Sequence, residues 1–363
     1  MNDTKLNTGH NRIVYLDILR ITATLAVMML HISGHSWDDI EVTSAEWSIL
    51  NFYDSISRWG VPVFVMISGV LFLSKYRPVK AIYSKNILRI VTAFIFWSAF
   101  YAGLKYINDH DAKAFALNFI KGHFHMWFLF MIVGLYMIVP LLRLIAEDTK
   151  MCRYFIVLGI LFTSLIPLCI KVTAVFRPGY AGHLQQLINS IDIHMVVGYS
   201  VYFVIGYYLH KILLVPVSGK SGISGKLLYT AIVMGIVGFA STVLLTAWIS
   251  VRTGAPNEMF YSYLSFNVLL EAVSVFILVY AVVSRITFGE RAKAIIAALA
   301  DYSFGAFLVH PYIISIVRNK AGLDALTFNP VISALLMLLI VAAASFVVSA
   351  AIHKVPVAKK YIV

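Results

Sequence analysis

The 363 residues are 60% hydrophobic and 13% charged, with a mean hydropathy of +0.85 and a formal net charge of +12. A soluble domain would carry about a quarter charged residues, and the apolar residues here fall in runs of about 20, which excludes an ordinary soluble enzyme and predicts an integral membrane protein. No nucleic-acid partner is needed to explain the charge, because the basic residues concentrate in alternate connections between apolar runs.

Ten membrane helices are expected, at about 15–35, 55–73, 86–107, 124–142, 153–170, 194–214, 227–250, 261–284, 295–317 and 331–352. One set of connections holds clusters such as Lys75, Arg77, Lys80 and Lys85, or Lys354, Lys359 and Lys360, whereas the first connection of the other set, 36–54, has neither Lys nor Arg. The richer set is assigned to the cytoplasm, which puts both termini inside. No cleavable signal peptide is expected, since the first apolar run contains Asp17 and Arg20. The expected class is therefore an all-α integral membrane protein with about ten transmembrane helices. One polytopic domain spans 1–363, with short cytoplasmic tails at about 1–14 and 353–363.

The first segment carries the most informative pair, Arg20 and His31. Eleven residues at about 100° each make three turns plus roughly 20°, so both side chains share one helix face, roughly 16 Å apart along the axis. A cation and an imidazole are costly in lipid and are expected to face a cavity or a partner. The pair suggests a polar shaft with a charge-binding mouth and a base further in. A neutral imidazole suits such a setting and can accept a proton; the bland alternative is a histidine bonded to a neighbouring helix. Arg20 suits a phosphate clamp, unless Asp17, three residues earlier, neutralises it.

In the second segment, Ser68 and Gly69 suit close helix packing. The cytoplasmic basic cluster then leads to Arg89 at the start of the third segment, where it can join Arg20 around a phosphorylated ligand. The fourth segment opens with Gly122-His-Phe-His-Met-Trp-Phe-Leu129. Trp127 reads as an interfacial anchor. His123 and His125, two apart, do not share a helix face, so no metal site is expected there. Sugar binding is the functional alternative for this stretch.

Cys152 and Cys169 lie near opposite ends of the fifth segment, roughly 25 Å apart by helical rise, too far for a disulfide within one helix. They read as small core residues. The stretch Val217–Lys226 is a flexible linker; its Gly-Lys-Ser lacks the context of a phosphate-binding loop. Glu271, mid-segment, needs a partner, for which Arg58, a histidine and substrate all remain open. His310 is followed by Pro311, which removes a backbone donor and crowds the Phe307 carbonyl, so a kink is expected. Broken helices in membranes are tolerated where they line a cavity. No Gly-x-Ser-x-Gly elbow, His-Glu-x-x-His helix, dinucleotide glycine pattern or Cys-x-x-Cys occurs in a fitting context, which weakens hydrolase, zinc protease and redox readings.

Taken in order, these motifs resemble the membrane-bound acyltransferase-3 family, and within it the surface-polysaccharide O-acetyltransferase branch. The resemblance rests on Arg20 and His31 preceded by Tyr15-Leu-Asp-Ile-Leu19, on Val61-Pro-Val-Phe-Val-Met-Ile-Ser-Gly69, and on Leu88-Arg89-Ile90. It continues through His125-Met-Trp-Phe-Leu129 and Tyr302-Ser-Phe-Gly-Ala-Phe-Leu-Val-His310. It departs from the family at Ile21, where glycine is common, and no extracytoplasmic esterase-like domain is expected, so transfer would be completed within the membrane domain.

The resemblance implies an inner-membrane O-acetyltransferase that takes acetyl from cytoplasmic acetyl-CoA, with no metal, and delivers it to a hydroxyl of a surface glycan or lipid-linked sugar. His31 would be the general base, with Arg20 and His310 as its catalytic company. Arg20, Lys85, Arg89 and Ser68 would bind the donor; His123, His125, Trp127 and Glu271 would bind the acceptor. Covalent acylation of histidine is an alternative route. A transporter or exporter of a glycan or acyl metabolite, making no bonds, is the rival function; a sensor or assembly subunit is a third. Small-residue faces such as Ala342–Ser345 allow a homo-oligomer.

Overall fold

The computed structural model describes residues 12–176, 194–214 and 223–363, and no strand occurs among them. The helices are α1 Val14–Gly34, α2 Ala45–Ser55, α3 Gly60–Leu73, α4 Leu88–Asp109, α5 Ala112–Lys121, α6 Trp127–Glu147, α7 Thr149–Ile160 and α8 Ile166–Phe176. They continue with α9 His194–Tyr208, α10 Gly225–Thr253, α11 Phe266–Val283, α12 Glu290–Ala321, α13 Pro330–His353 and α14 Pro356–Tyr361. Nine helical stretches among the described residues are long and apolar enough to cross a membrane. The tenth expected segment is helical as well: α9 continues through a π-turn at Leu209–Leu214. The chain is thus an all-α, multi-pass membrane protein. Most of the linker at 217–226, and Arg177 and Lys220 among the basic residues, lie outside the described residues.

Helix starts follow capping chemistry. Asp111 accepts from the amides of Lys113 and Ala114 at 2.8 and 3.1 Å, Asp148 does the same ahead of α7, and Asn329 caps α13 with Pro330 at its first position. Ser44 accepts from the Trp47 amide at 3.1 Å. That cap starts α2 inside the stretch expected to be a loop, and α2 and α3 together form one apolar passage over Ala45–Leu73.

Helix α1 lies at the centre, packed against α12, α3, α13 and α2. Its buried residues, among them Leu19, Ala23, Val27, Met28 and Ile32, spread round the helix, as a helix with neighbours on several sides requires. Helices α3 and α9 cross through reciprocal glycines. A Cβ on Gly69 would come within 1.8 Å of the Phe203 carbonyl oxygen, and one on Gly206 within 2.2 Å of the Met66 carbonyl oxygen. Only glycine permits backbones this close, the expected use of Gly69. Of the two free cysteines, Cys152 is buried as expected, but Cys169 is exposed, because α8 turns that face outward.

Candidate functional site

Two of the cavities that meet helix α1 hold its Arg20 and His31, at different heights. The first, about 490 Å³, is lined by His31 together with His123, Phe124, Asp54, Arg58 and Arg318. The second, about 220 Å³, is lined by Arg20 with Ser68, Asn86, Arg89, Tyr136 and Asp301. Arg20 and His31 share a helix face, so one helix serves both. The cavities have no lining residue in common. Phe64, Phe128 and Phe307, all on the Arg20 cavity, pack ring against ring at 5.5–6.5 Å. Phe307 in turn lies 5.4 Å from His125 and 5.8 Å from His310. The polar shaft expected along α1 thus shows as two cavities, and the aromatic rings run from the Arg20 cavity toward His125 and His310. These large side chains come from α3, α6 and α12.

At the His31 chamber, His31 Nδ1 and His310 Nε2 are 2.7 Å apart, and the two rings lie within 11° of parallel. His310 is completely buried, and its Nδ1 lies 2.6 Å from the Phe307 carbonyl oxygen. That carbonyl would ordinarily accept from the amide four residues on, but residue 311 is proline and has no N–H. Helix α12 continues through Pro311, from Glu290 to Ala321, and the freed carbonyl is met by the His310 ring. His310 therefore stands behind His31 and does not itself line the chamber.

The chamber's walls carry both signs of charge. Arg58 pairs with Asp54, which is 1% exposed, and lies 3.9 Å over the Tyr261 ring. Arg318 pairs with Asp324 at 2.5 Å. His123 is stacked on Tyr101 at 4.1 Å, and its Nδ1 approaches His125 Nδ1 at 2.9 Å. The two histidines, expected not to share a helix face, nevertheless meet, because that expectation applied to a regular helix. Here His123 is extended and Phe124–Met126 form a 3₁₀ turn that folds the rings together. His123 reaches the chamber, while His125 is buried behind it.

In the other chamber the Arg20 guanidinium makes no hydrogen bond or ion pair among the described residues. Asp17 does not pair with it, and Asp301 pairs instead with Arg12. Arg89 lines the chamber as expected, but its Nε and Nη2 both donate to the Val363 carbonyl oxygen, at 3.1 and 2.7 Å, and Trp97 Nε1 donates to the Ile362 carbonyl at 3.0 Å. Arg89 is thus committed to the segment after α14, whereas Arg20 has no such partner among the described residues. Ser68 lines the chamber close to Tyr136.

Three expected site residues lie elsewhere. Lys85 is exposed and lines neither cavity; the π-turn Ile82–Ile87 turns Asn86 to the Arg20 chamber instead. Trp127 is stacked on Tyr263 at 5.6 Å, away from both chambers, as an apolar face near a membrane boundary favours. Glu271 is fully buried between α10 and α11, where it bonds to Thr242. Thr242 also accepts from Asn267 at 2.7 Å, and a Cβ on Gly238 would meet Glu271 Cγ at 3.0 Å. Among the described residues its Oε1 is thus held by the neighbouring helix and not by Arg58, while its Oε2 is buried without a hydrogen-bond partner. Sequence reasoning missed Asn86 and Tyr136, for which it had no signal, and it named the Phe307 carbonyl only as crowded by Pro311, not as a partner of His310.

Residues 13–354 match the family model described as an acyltransferase domain. No curated protein and no solved structure matches the chain.

Proposed function

From membership of this membrane acyltransferase family, to which the chain belongs, we propose that the protein transfers an acetyl group from acetyl-CoA to a hydroxyl of a surface glycan or its lipid-linked precursor. The observation that carries this reading is the division of labour along α1: a guanidinium unpaired among the described residues in one chamber and an imidazole lining the other. Arg20 holds donor phosphate from the cytoplasmic side of the inner membrane, as a guanidinium with no internal partner is suited to do. The axial separation of roughly 16 Å between Arg20 and His31 is comparable to an extended pantetheine arm. Passage of that arm requires Phe64, Phe128 and Phe307 to part. The acceptor enters the larger chamber, whose mixture of Arg58, Asp54, Arg318 and His123 suits a polyhydroxylated molecule better than an anion or an apolar chain.

The reaction balances without a metal. The acceptor oxygen attacks the thioester carbonyl as His31 Nε2 takes its proton; the C–S bond breaks, and the departing thiolate recovers that proton from His31. Acceptor O–H and thioester become ester and free thiol.

The test uses membranes bearing the full chain, labelled acetyl-CoA and a glycan acceptor. Wild-type protein is expected to release CoA thiol and label the glycan, and His31→Ala to do neither while still folding. Glycan labelling at the wild-type rate by His31→Ala would overturn the assignment of the base. Movement of substrate into vesicles with no thiol released would support the transporter reading instead.

A further inference from the structure

We infer that His310 is a positioning residue that fixes the tautomer of His31, and that Pro311 makes this possible by leaving the Phe307 carbonyl to the His310 ring. The inference rests on the proposed role of His31 and adds the means by which its reactive nitrogen is chosen.

The argument is a count of donors. A carbonyl oxygen only accepts, so the 2.6 Å contact with Phe307 requires a proton on His310 Nδ1. His310 is fully buried with no carboxylate against it among the described residues, and burial of an unpaired charge is costly, so the ring is neutral and its Nε2 carries a lone pair. The 2.7 Å contact with His31 Nδ1 then requires the proton to sit on His31 Nδ1. Nearly parallel rings, at 11°, keep that proton in the plane of the lone pair. His31 Nε2 is left as the acceptor, on the ring that lines the chamber. The opposite tautomer would put two lone pairs face to face at 2.7 Å and leave an N–H where a base is needed. The chain from the Phe307 carbonyl through His310 to His31 thus does for this imidazole what a carboxylate does in a serine protease triad: it orients the ring and stabilises the imidazolium that forms. It does so without a buried charge.

Solid-state NMR of the full chain in lipid, with ¹⁵N-labelled histidine, reads the tautomer directly. His31, identified by loss of its signals in His31→Ala, is expected to be protonated at Nδ1 in the wild type and to lose that preference in His310→Ala. His310→Ala is expected to lower kcat by about 10²- to 10⁴-fold with KM for acetyl-CoA changed less than twofold. His310→Gln, whose side-chain oxygen can accept from His31 Nδ1, is expected to recover part of kcat. Pro311→Ala returns an N–H to the Phe307 carbonyl, competes with His310, and is expected to lower kcat without altering either KM. A wild-type His31 protonated at Nε2, or a folded His310→Ala with wild-type kcat, overturns the inference. Should His310→Ala fail to fold, the wild-type tautomer and the Pro311→Ala kinetics still decide it. An active His31→Ala would defeat the base assignment separately, whatever tautomer the wild type shows.

Discussion

Replacing Arg20 with alanine separates donor binding from everything else in this molecule. The guanidinium makes no hydrogen bond or ion pair among the described residues, so its removal breaks nothing that holds the fold together. It lines the chamber with Arg89, whose own fork is on Val363, so no second free guanidinium takes over. A hydrogen bond to a charged group is worth about 1.5–3 kcal/mol. At RT of about 0.59 kcal/mol this is a loss of roughly 13- to 160-fold in affinity for acetyl-CoA. Arg20→Lys, which keeps a point charge but not the fork, is expected to lose less. The assay is direct binding of CoA to the solubilised protein, by calorimetry, with a thermal melt as the control for folding. Arg20→Ala that binds CoA as tightly as the wild type would refute the reasoning, and so would a melt lowered by several degrees, since that would mean the guanidinium has a structural partner.

Other substitutions test the fold around the site. Gly69→Ala places a Cβ 1.8 Å from a backbone oxygen that cannot swing away; it is expected to cost at least about 1–3 kcal/mol, read as lost folded yield and a lower melting temperature, whereas Gly134→Ala, with nothing within 4 Å, is expected to be tolerated. Arg58→Ala leaves Asp54 buried without its partner and is expected to destabilise by about 3–5 kcal/mol in thermal or chemical unfolding; an unchanged melt would show that the pair contributes little. Glu271→Gln keeps an oxygen for Thr242 and is expected to leave both stability and kinetics near wild type, while Glu271→Ala strands the Asn267–Thr242 network and is expected to cost about 1–3 kcal/mol. A raised acceptor KM in Glu271→Gln would put this carboxyl back at the site. Trp127→Ala is expected to leave acceptor KM unchanged, for the ring is stacked on Tyr263 away from both chambers.

Residue spacing along single helices was legible before any contact was known. Apolar runs of membrane length, the shared face of Arg20 and His31, the close packing at Gly69 and the carbonyl freed before Pro311 all follow from rise and rotation per residue, which are local properties of the backbone. Whatever depends on how helices are rotated against one another was not. Lys85 and Asn86 are adjacent in the chain, and only the winding of the π-turn turns one to water and the other to the chamber. Glu271 was read as needing a partner, and only packing brings Thr242 of a neighbouring helix to one of its two oxygens. His310 comes to His31 across 279 residues of chain. Spacing says which residues of one helix share a face. It carries no information about which helix that face will meet, because the meeting is set by side-chain packing summed over the bundle, such as the Gly69–Phe203 crossing and the wall of Phe64, Phe128 and Phe307. By itself the sequence determined a membrane helix bundle with a cation and an imidazole aligned on its first helix. Tertiary packing alone decided that they open into separate chambers, and which nitrogen of the imidazole faces its chamber.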